Sequence, residues 1–129
     1  MRILVCGSRD WDDKDAIKVA IQEECDKCKA PAPMHVYIIN GGARGADTLS
    51  SEIADELGLM KEIFYADWKI GKQAGPIRNA QMLNAKPDVV LAFWDGSSKG
   101  TKNMIKQAQA RKVRTRIFKY SWGRVKEIE

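Results

Sequence analysis

Asn40-Gly41-Gly42-Ala43-Arg44-Gly45-Ala46-Asp47 follows the apolar run Val36-Tyr37-Ile38-Ile39 and precedes an amphipathic segment from Leu49 to Leu57. A glycine-rich turn between a strand and a helix gathers backbone N–H groups and the positive helix end at one point, which suits a phosphate. Gly41, Gly42 and Gly45 permit positive φ and close backbone approach. Arg44 adds a cation, and Asp47 stands either to accept from ribose hydroxyls or to cap the helix. The turn lacks the Gly-Lys-Ser/Thr of a Walker A loop and the spaced glycines of a dinucleotide fingerprint. A plain strand-to-helix link is therefore the competing reading.

Working outward, the same strand–turn–helix unit recurs. Arg2-Ile-Leu-Val-Cys6 is a continuous apolar run, as a parallel strand buried on both faces requires, and Gly7-Ser8-Arg9 forms its exit turn. Asp12 or Asp13 caps a first helix whose apolar face includes Ile17, Ala20, Ile21 and Cys28, with Cys25 extending it. Ala30-Pro31-Ala32-Pro33 ends that helix and makes a surface connection. The second strand is His35 to Ile39. A second helix spans about Ala46 to Leu57, with Gly58 past its end, and a third strand covers about Met60 to Tyr65.

Residues 66–75 form a long loop containing Asp67 and Trp68, of the length that compact α/β domains keep for function. Pro76 suits the first turn of a third helix reaching about Ala85 and carrying Arg78 and Asn79. Asp88 to Phe93 reads as the fourth strand, followed by a second Gly/Ser-rich turn, Trp94 to Thr101. A fourth helix from about Thr101 to Arg111 and a fifth strand from Arg114 to Lys119 complete a domain of residues 1–119. Residues 120–129 are a tail, either a docked turn or an interface.

About five strands alternating with about four helices predict an α/β, three-layer Rossmann-like domain with a parallel sheet and right-handed crossovers. Ligands of such sheets lie beyond the strand carboxyl ends at the switch point. The polar turns at Gly7 to Arg9, Gly41 to Asp47, Asp67-Trp68 and Asp95 to Thr101 all fall there. Four loops converging on one edge point to a nucleotide-type site.

The totals bound the alternatives. With 129 residues, 44% hydrophobic and 30% charged, the chain is one globular domain rather than a disordered segment. No apolar run is long enough to span a membrane and no secretory signal is seen, so a cytoplasmic address without membrane association is expected. The net charge of +5 favours anionic ligands, and much of the basic excess sits late, from Lys99 to Lys119, where a solvated helix face competes with a phosphate-attracting surface. Cys6, Cys25 and Cys28 make no secreted disulfide framework. The Cys25–Cys28 spacing has no second ligand pair, and His35 is the lone histidine, so no metal is expected.

Gly7-Ser8-Arg9, Gly-Gly-Ala-Arg-Gly-Ala-Asp47, Ala66-Asp67-Trp68, Gly75-Pro76-x-Arg78-Asn79-x-x-Met82 and Ser98-x-Gly100-Thr101 together resemble the SLOG superfamily. This Rossmann-like group includes DNA-processing Smf/DprA proteins, lonely-guy phosphoribohydrolases and small stand-alone YspA-like proteins, and the chain is most similar to the last. The resemblance implies binding of a nucleotide or nucleotide derivative at the glycine-rich edge, with no further cofactor. Lonely-guy enzymes hydrolyse the N-glycosidic bond of nucleoside 5′-monophosphates with an Arg, matched by Arg78, and a Glu, replaced by Met104. Methionine can neither stabilise an oxocarbenium-like centre nor handle a proton. A hydrolase would need Arg78 with a relocated carboxylate, Asp95 foremost, or Asp67 or Asp47.

For binding, Gly41, Gly42 and Gly45 are expected to supply backbone donors, and Ser98, Gly100 and Thr101 a second cradle suited to a 5′-phosphate. Arg9, Arg44 and Arg78 pair with phosphate, Asp47 or Asp95 with ribose hydroxyls, and Trp68 stacks on a base or packs. Three functions follow: a sensor or carrier of a nucleotide derivative, a nucleotide N-glycosidic-bond hydrolase, and a nucleic-acid-binding protein. No interleaved basic–aromatic stripe supports the last. A homodimer or higher homo-oligomer is consistent with the lonely-guy relatives, which share sites across dimers.

Overall fold

The computed structural model of the chain describes residues 1–28 and 32–128. Its elements in chain order are β1 (Arg2–Gly7), α1 (Lys14–Cys28), β2 (Tyr37–Asn40), α2 (Ala46–Leu57), β3 (Met60–Ile63), α3 (Ala74–Asn84), β4 (Val89–Phe93), α4 (Lys99–Ala110), β5 (Thr115–Ser121) and β6 (Arg124–Ile128). One six-stranded sheet has the order β3-β2-β1-β4-β5-β6. The first five strands are parallel and β6 is antiparallel to β5. The three-layer Rossmann-like expectation holds, with one strand more than expected.

The continuous apolar strands serve two cores. Ile3 and Val5 of β1 and Val89, Leu91 and Phe93 of β4 face α1 and α2, joining Ile17, Ile21 and Ile53. The alternating residues, Leu4 and Cys6 of β1 and Val90 and Ala92 of β4, face α3 and α4, joining Met82, Leu83, Met104 and Ile105. Period-two side-chain alternation thus makes both faces of each central strand apolar. The chain builds outward from β1 to β2 and β3, then crosses back so that β4 lands on the other side of β1. That reversal opens a crevice at the carboxyl ends of β1 and β4.

Several boundaries move, each for a local reason. Asp13 rather than Asp12 caps α1, its Oδ1 accepting from the Ala16 N–H at 3.0 Å. Cys28 is exposed at the end of α1 rather than on its buried face, and its thiol lies against the Cys25 carbonyl, while Cys25 packs on the core. Of the expected Ala30–Pro33 connection, Ala30 and Pro31 lie outside the described residues. Pro33–His35 forms a 3-10 turn that delays β2 to Tyr37. Trp68–Ile70 forms another inside the long loop, and α3 starts at Ala74, which puts Pro76 in its first turn.

Helix α2 and its left-handed Gly58 cap stand as read. Helix α4 begins two residues early, at Lys99, with Ser98 at its N-cap. The tail read from Tyr120 onward carries the end of β5, a hairpin turn at Trp122-Gly123 with positive φ at both residues, and β6. Such a two-residue turn matches the twist of the strands it joins.

Candidate functional site

The loops after β1, β2 and β4, the loop after β3 and the start of α3 enclose an open cleft of about 740 Å³ at the carboxyl edge. Of the expected site residues, Gly7, Arg9, Arg44, Asp47, Trp68, Arg78, Asn79, Asp95, Ser98, Gly100 and Thr101 line it. Its basic side chains are Arg9, Arg44, Lys72, Arg78 and Lys99, against the acids Asp10, Asp47 and Asp95. The cleft is therefore electropositive and suited to an anion.

The Gly-Gly turn works differently from the expectation. Its N–H groups do not face the cleft as free donors: Gly41 and Ala43 donate to Asp47 Oδ2 at 3.1 and 3.2 Å, and Gly42 donates to Asn40 Oδ1 at 2.9 Å. Asn40, fully buried, in turn donates through Nδ2 to the Asp47 carbonyl and to the Ser50 and Ser51 hydroxyls. An internal carboxylate occupies the place foreseen for a phosphate. Gly45, the α2 N-cap, has φ of 79°, and a side chain there would strike the backbone of Ser8 and Arg9. Its glycine is needed for that turn, not for a ligand contact.

Asp47 is itself part of the cleft wall. It is 6% exposed, and Oδ1 has no partner among the described residues and opens on the cleft. Burial pushes its carboxyl up to about 6, against the lowering pull of the Ala43 N–H, Arg78, the Gly41 N–H and Arg9. Arg78, half-buried on α3, donates from Nη1 to the Gly41 carbonyl at 2.8 Å and, at longer range, to the Phe64 carbonyl. A Cβ at Gly41 would collide with that guanidinium, so the glycine makes room for the arginine. Arg78 Nε also reaches Asn79 Oδ1 at 3.3 Å.

Donors that remain open lie at the start of α4. The N–H groups of Lys99, Gly100 and Thr101 have no acceptor among the described residues, and all three residues line the cleft. The Ser98 and Thr101 hydroxyls meet at 3.2 Å beside them. Asp95 shapes this turn: its Oδ1 accepts from the Ser97 and Ser98 N–H groups at 2.8 and 2.7 Å, which hold its carboxyl below the usual range. Ser8 is buried, and its hydroxyl accepts from the Asp95 N–H at 2.9 Å, tying the β1 loop to the β4 loop. Asn79 donates to the Gly100 carbonyl and to Asn103 Oδ1, locking α3 to α4.

Ser8, Gly45 and Asp67 therefore shape loops rather than face the cleft. Asp67 caps the short turn at Trp68, accepting from the Lys69 N–H at 3.2 Å. Gly41 and Gly42 border a smaller adjoining chamber, together with Tyr65, Ala66 and Trp68. Met104, which the sequence comparison set against the lonely-guy glutamate, is buried in the α3/α4 core.

Sequence reasoning passed over Lys72, Asn103 and Tyr65 as site residues, and held Lys99 only as part of the late basic run. Only the spacing of Asn103 from Gly100 on one helix face offered a signal for it. The late basic run is also less free than its sequence suggests. Arg114 makes two bonds to buried Glu24, and Arg116 binds Glu24, Glu23 and Glu127. Among the described residues no group of three or more His, Cys, Asp or Glu side chains could hold a metal ion. No helix among them is long and apolar enough to cross a membrane.

The family model described as YspA, cpYpsA-related SLOG family matches residues 1–71, from β1 through the Gly-Gly turn to the loop after β3. The chain is also similar to the Gene 61 protein of Mycobacterium phage D29, at 36% identity over 114 residues that cover 84% of this chain and 88% of that protein. This chain belongs to the SLOG superfamily, in its YspA-like branch.

Proposed function

We propose, taking membership of the YspA-like SLOG branch as the premise, that the chain binds a phosphorylated nucleotide derivative in the cleft and returns it intact, as a sensor or carrier. Family membership fits a nucleotide-related function. One observation carries the finer reading: Lys99, Gly100 and Thr101, whose N–H groups have no acceptor among the described residues, line a cleft whose other walls hold Arg9, Arg44 and Arg78. Because β2 and β4 flank β1, the arginine-bearing β2 loop and the α4 turn stand on opposite sides of the β1 end. A phosphate between them meets fixed donors on one side and guanidinium forks on the other. Trp68, 57% exposed with the Arg9 guanidinium 6.0 Å from its ring centre, offers a face for a base.

Chemistry on the ligand is disfavoured by Met104, whose thioether is packed in the core. The hydrolase reading retains one specific support, Asp47, a carboxylate with Oδ1 open to the cleft and a raised pKa, near Arg78. Thermal-shift assays against nucleoside 5′-monophosphates, NAD and ADP-ribose, with chromatography of the same samples, separate the two. A shift with the ligand recovered whole supports the sensor or carrier. Release of free base, lost in Asp47→Asn, would make the chain a hydrolase, and the absence of any shift would overturn both.

A further inference from the structure

The adjoining chamber measures about 430 Å³ and shares Arg9, Arg44, Trp68 and Arg78 with the main cleft. It is large enough by itself for a nucleoside-sized group, since small-molecule sites begin at roughly 300 Å³. Its walls differ from those of the main cleft: Tyr65 belongs to it alone, at the carboxyl end of the β3 side. Tyr65 is 72% exposed, yet its ring is not loosely placed. It lies so close over Gly42 that a Cβ there would enter the ring, and Ile63 approaches the same point. The Tyr65 ring thus lies against the Gly42 backbone while most of it is exposed, beside a second exposed aromatic, Trp68.

We propose that this chamber is a second aromatic subsite and that the ligand has two nucleoside units joined through phosphate. The inference rests on the nucleotide-binding reading of the main cleft. The first nucleoside lies in the main cleft, with its phosphate linkage between the α4 turn and the arginines at the border. The second base stacks on Tyr65. The border arginines explain why two chambers would serve one molecule: an anionic linker is the part of such a ligand that must cross them. Stacking on Tyr65 tolerates any base, because each presents a π-face.

The test uses the full chain and matched probes, a nucleoside 5′-diphosphate and the corresponding symmetrical dinucleoside diphosphate, in adenine, guanine and uracil forms. Affinities are read by calorimetry for the unsubstituted protein, Tyr65→Ala and Tyr65→Phe. Tyr65 is exposed, so neither change threatens folding. The dinucleotide is expected to bind roughly tenfold or more tightly than its diphosphate, in line with alanine substitutions of stacking residues. Tyr65→Ala should erase that difference without altering diphosphate binding, and Tyr65→Phe should keep it. Equal affinity for both probes, or an equal effect of Tyr65→Ala on both, overturns the second subsite while leaving nucleotide binding in place. Binding of neither probe overturns the underlying reading as well.

Discussion

Arg78 lies directly over Gly41: its Nη1 donates to the Gly41 carbonyl at 2.8 Å, and a Cβ at residue 41 would occupy the space the guanidinium fills. The contact joins α3 to the turn after β2 and fixes the arginine at the cleft wall. Gly41→Ala should destabilise the protein by about 1–3 kcal/mol through overpacking. In an Arg78→Ala background the same change should cost much less, because its obstacle is gone. Urea denaturation of the two single variants and the double variant measures this coupling. Strictly additive losses would contradict the contact.

Arg78→Ala should also weaken binding of a phosphorylated nucleotide by roughly 1.5–3 kcal/mol, the worth of a hydrogen bond to a charged group. Calorimetry on the folded variant reads the change. Unchanged affinity would reduce Arg78 to a brace for the Gly41 turn.

Asp47 makes stability depend on pH in an unusual direction. Its carboxyl is raised from 3.8 to about 6 in the folded chain, so between those values the folded state holds a proton that the unfolded state has released. Its contribution is fully present below about pH 3.8 and is lost as pH rises through about 6, a change of about 3 kcal/mol. Asp47→Asn keeps an acceptor for the Gly41 and Ala43 N–H groups and removes the titration. Stability of the native protein relative to this variant should fall between pH 4 and pH 7 in denaturant titrations. A constant difference across that range would refute the buried, proton-linked role.

Glu24 behaves in the opposite way. Burial opposes its charge, but bonds from Arg114 and Arg116 prevail and hold its carboxyl below the usual range. Glu24→Ala leaves two arginines without their shared partner and should cost about 3 kcal/mol, near the lower end for broken buried pairs because Arg114 is half exposed. The stability that Glu24 contributes should be lost as pH falls below the ordinary carboxylate range. A loss under about 0.5 kcal/mol in chemical denaturation would show the network to be a solvated surface cluster.

The architecture was legible because β1 and β4 bury both faces, which leaves unbroken apolar runs, and because Gly58 and Pro76 punctuate helices in recognisable ways. Strand β6 was not. Of Arg124-Val-Lys-Glu-Ile128 only Val125 and Ile128 are apolar, and an antiparallel edge strand needs little burial to pair. At the candidate site, the motifs singled out loops that the fold brings together, since eleven of the expected residues line one cleft. What spacing does not carry is the destination of each N–H. Asp47 was readable as a cap or a ribose partner, whereas its role as acceptor for the Gly41 and Ala43 N–H groups of its own turn depends on how that turn folds back onto the start of α2. Ser8 and Asp67 misled for the same reason, because short polar side chains bind local backbone as readily as ligand.

Ser98→Ala combined with Thr101→Ala removes the hydroxyl pair beside the open α4 donors. Affinity for a 5′-nucleotide should fall while affinity for the parent nucleoside holds, as read by paired calorimetric titrations. Equal losses for both would place the phosphate elsewhere.

Amide chemical shifts on titration with a nucleoside 5′-phosphate test the central claim most directly, because they report which backbone N–H groups meet the anion. The largest changes should fall on Lys99, Gly100 and Thr101, whose N–H groups are open, with Gly41, Gly42 and Ala43 changing less because theirs are held by Asp47 and Asn40. Dominant changes at Gly41 to Ala43, with Lys99 to Thr101 unmoved, would contradict the account and return the phosphate to the Gly-Gly turn.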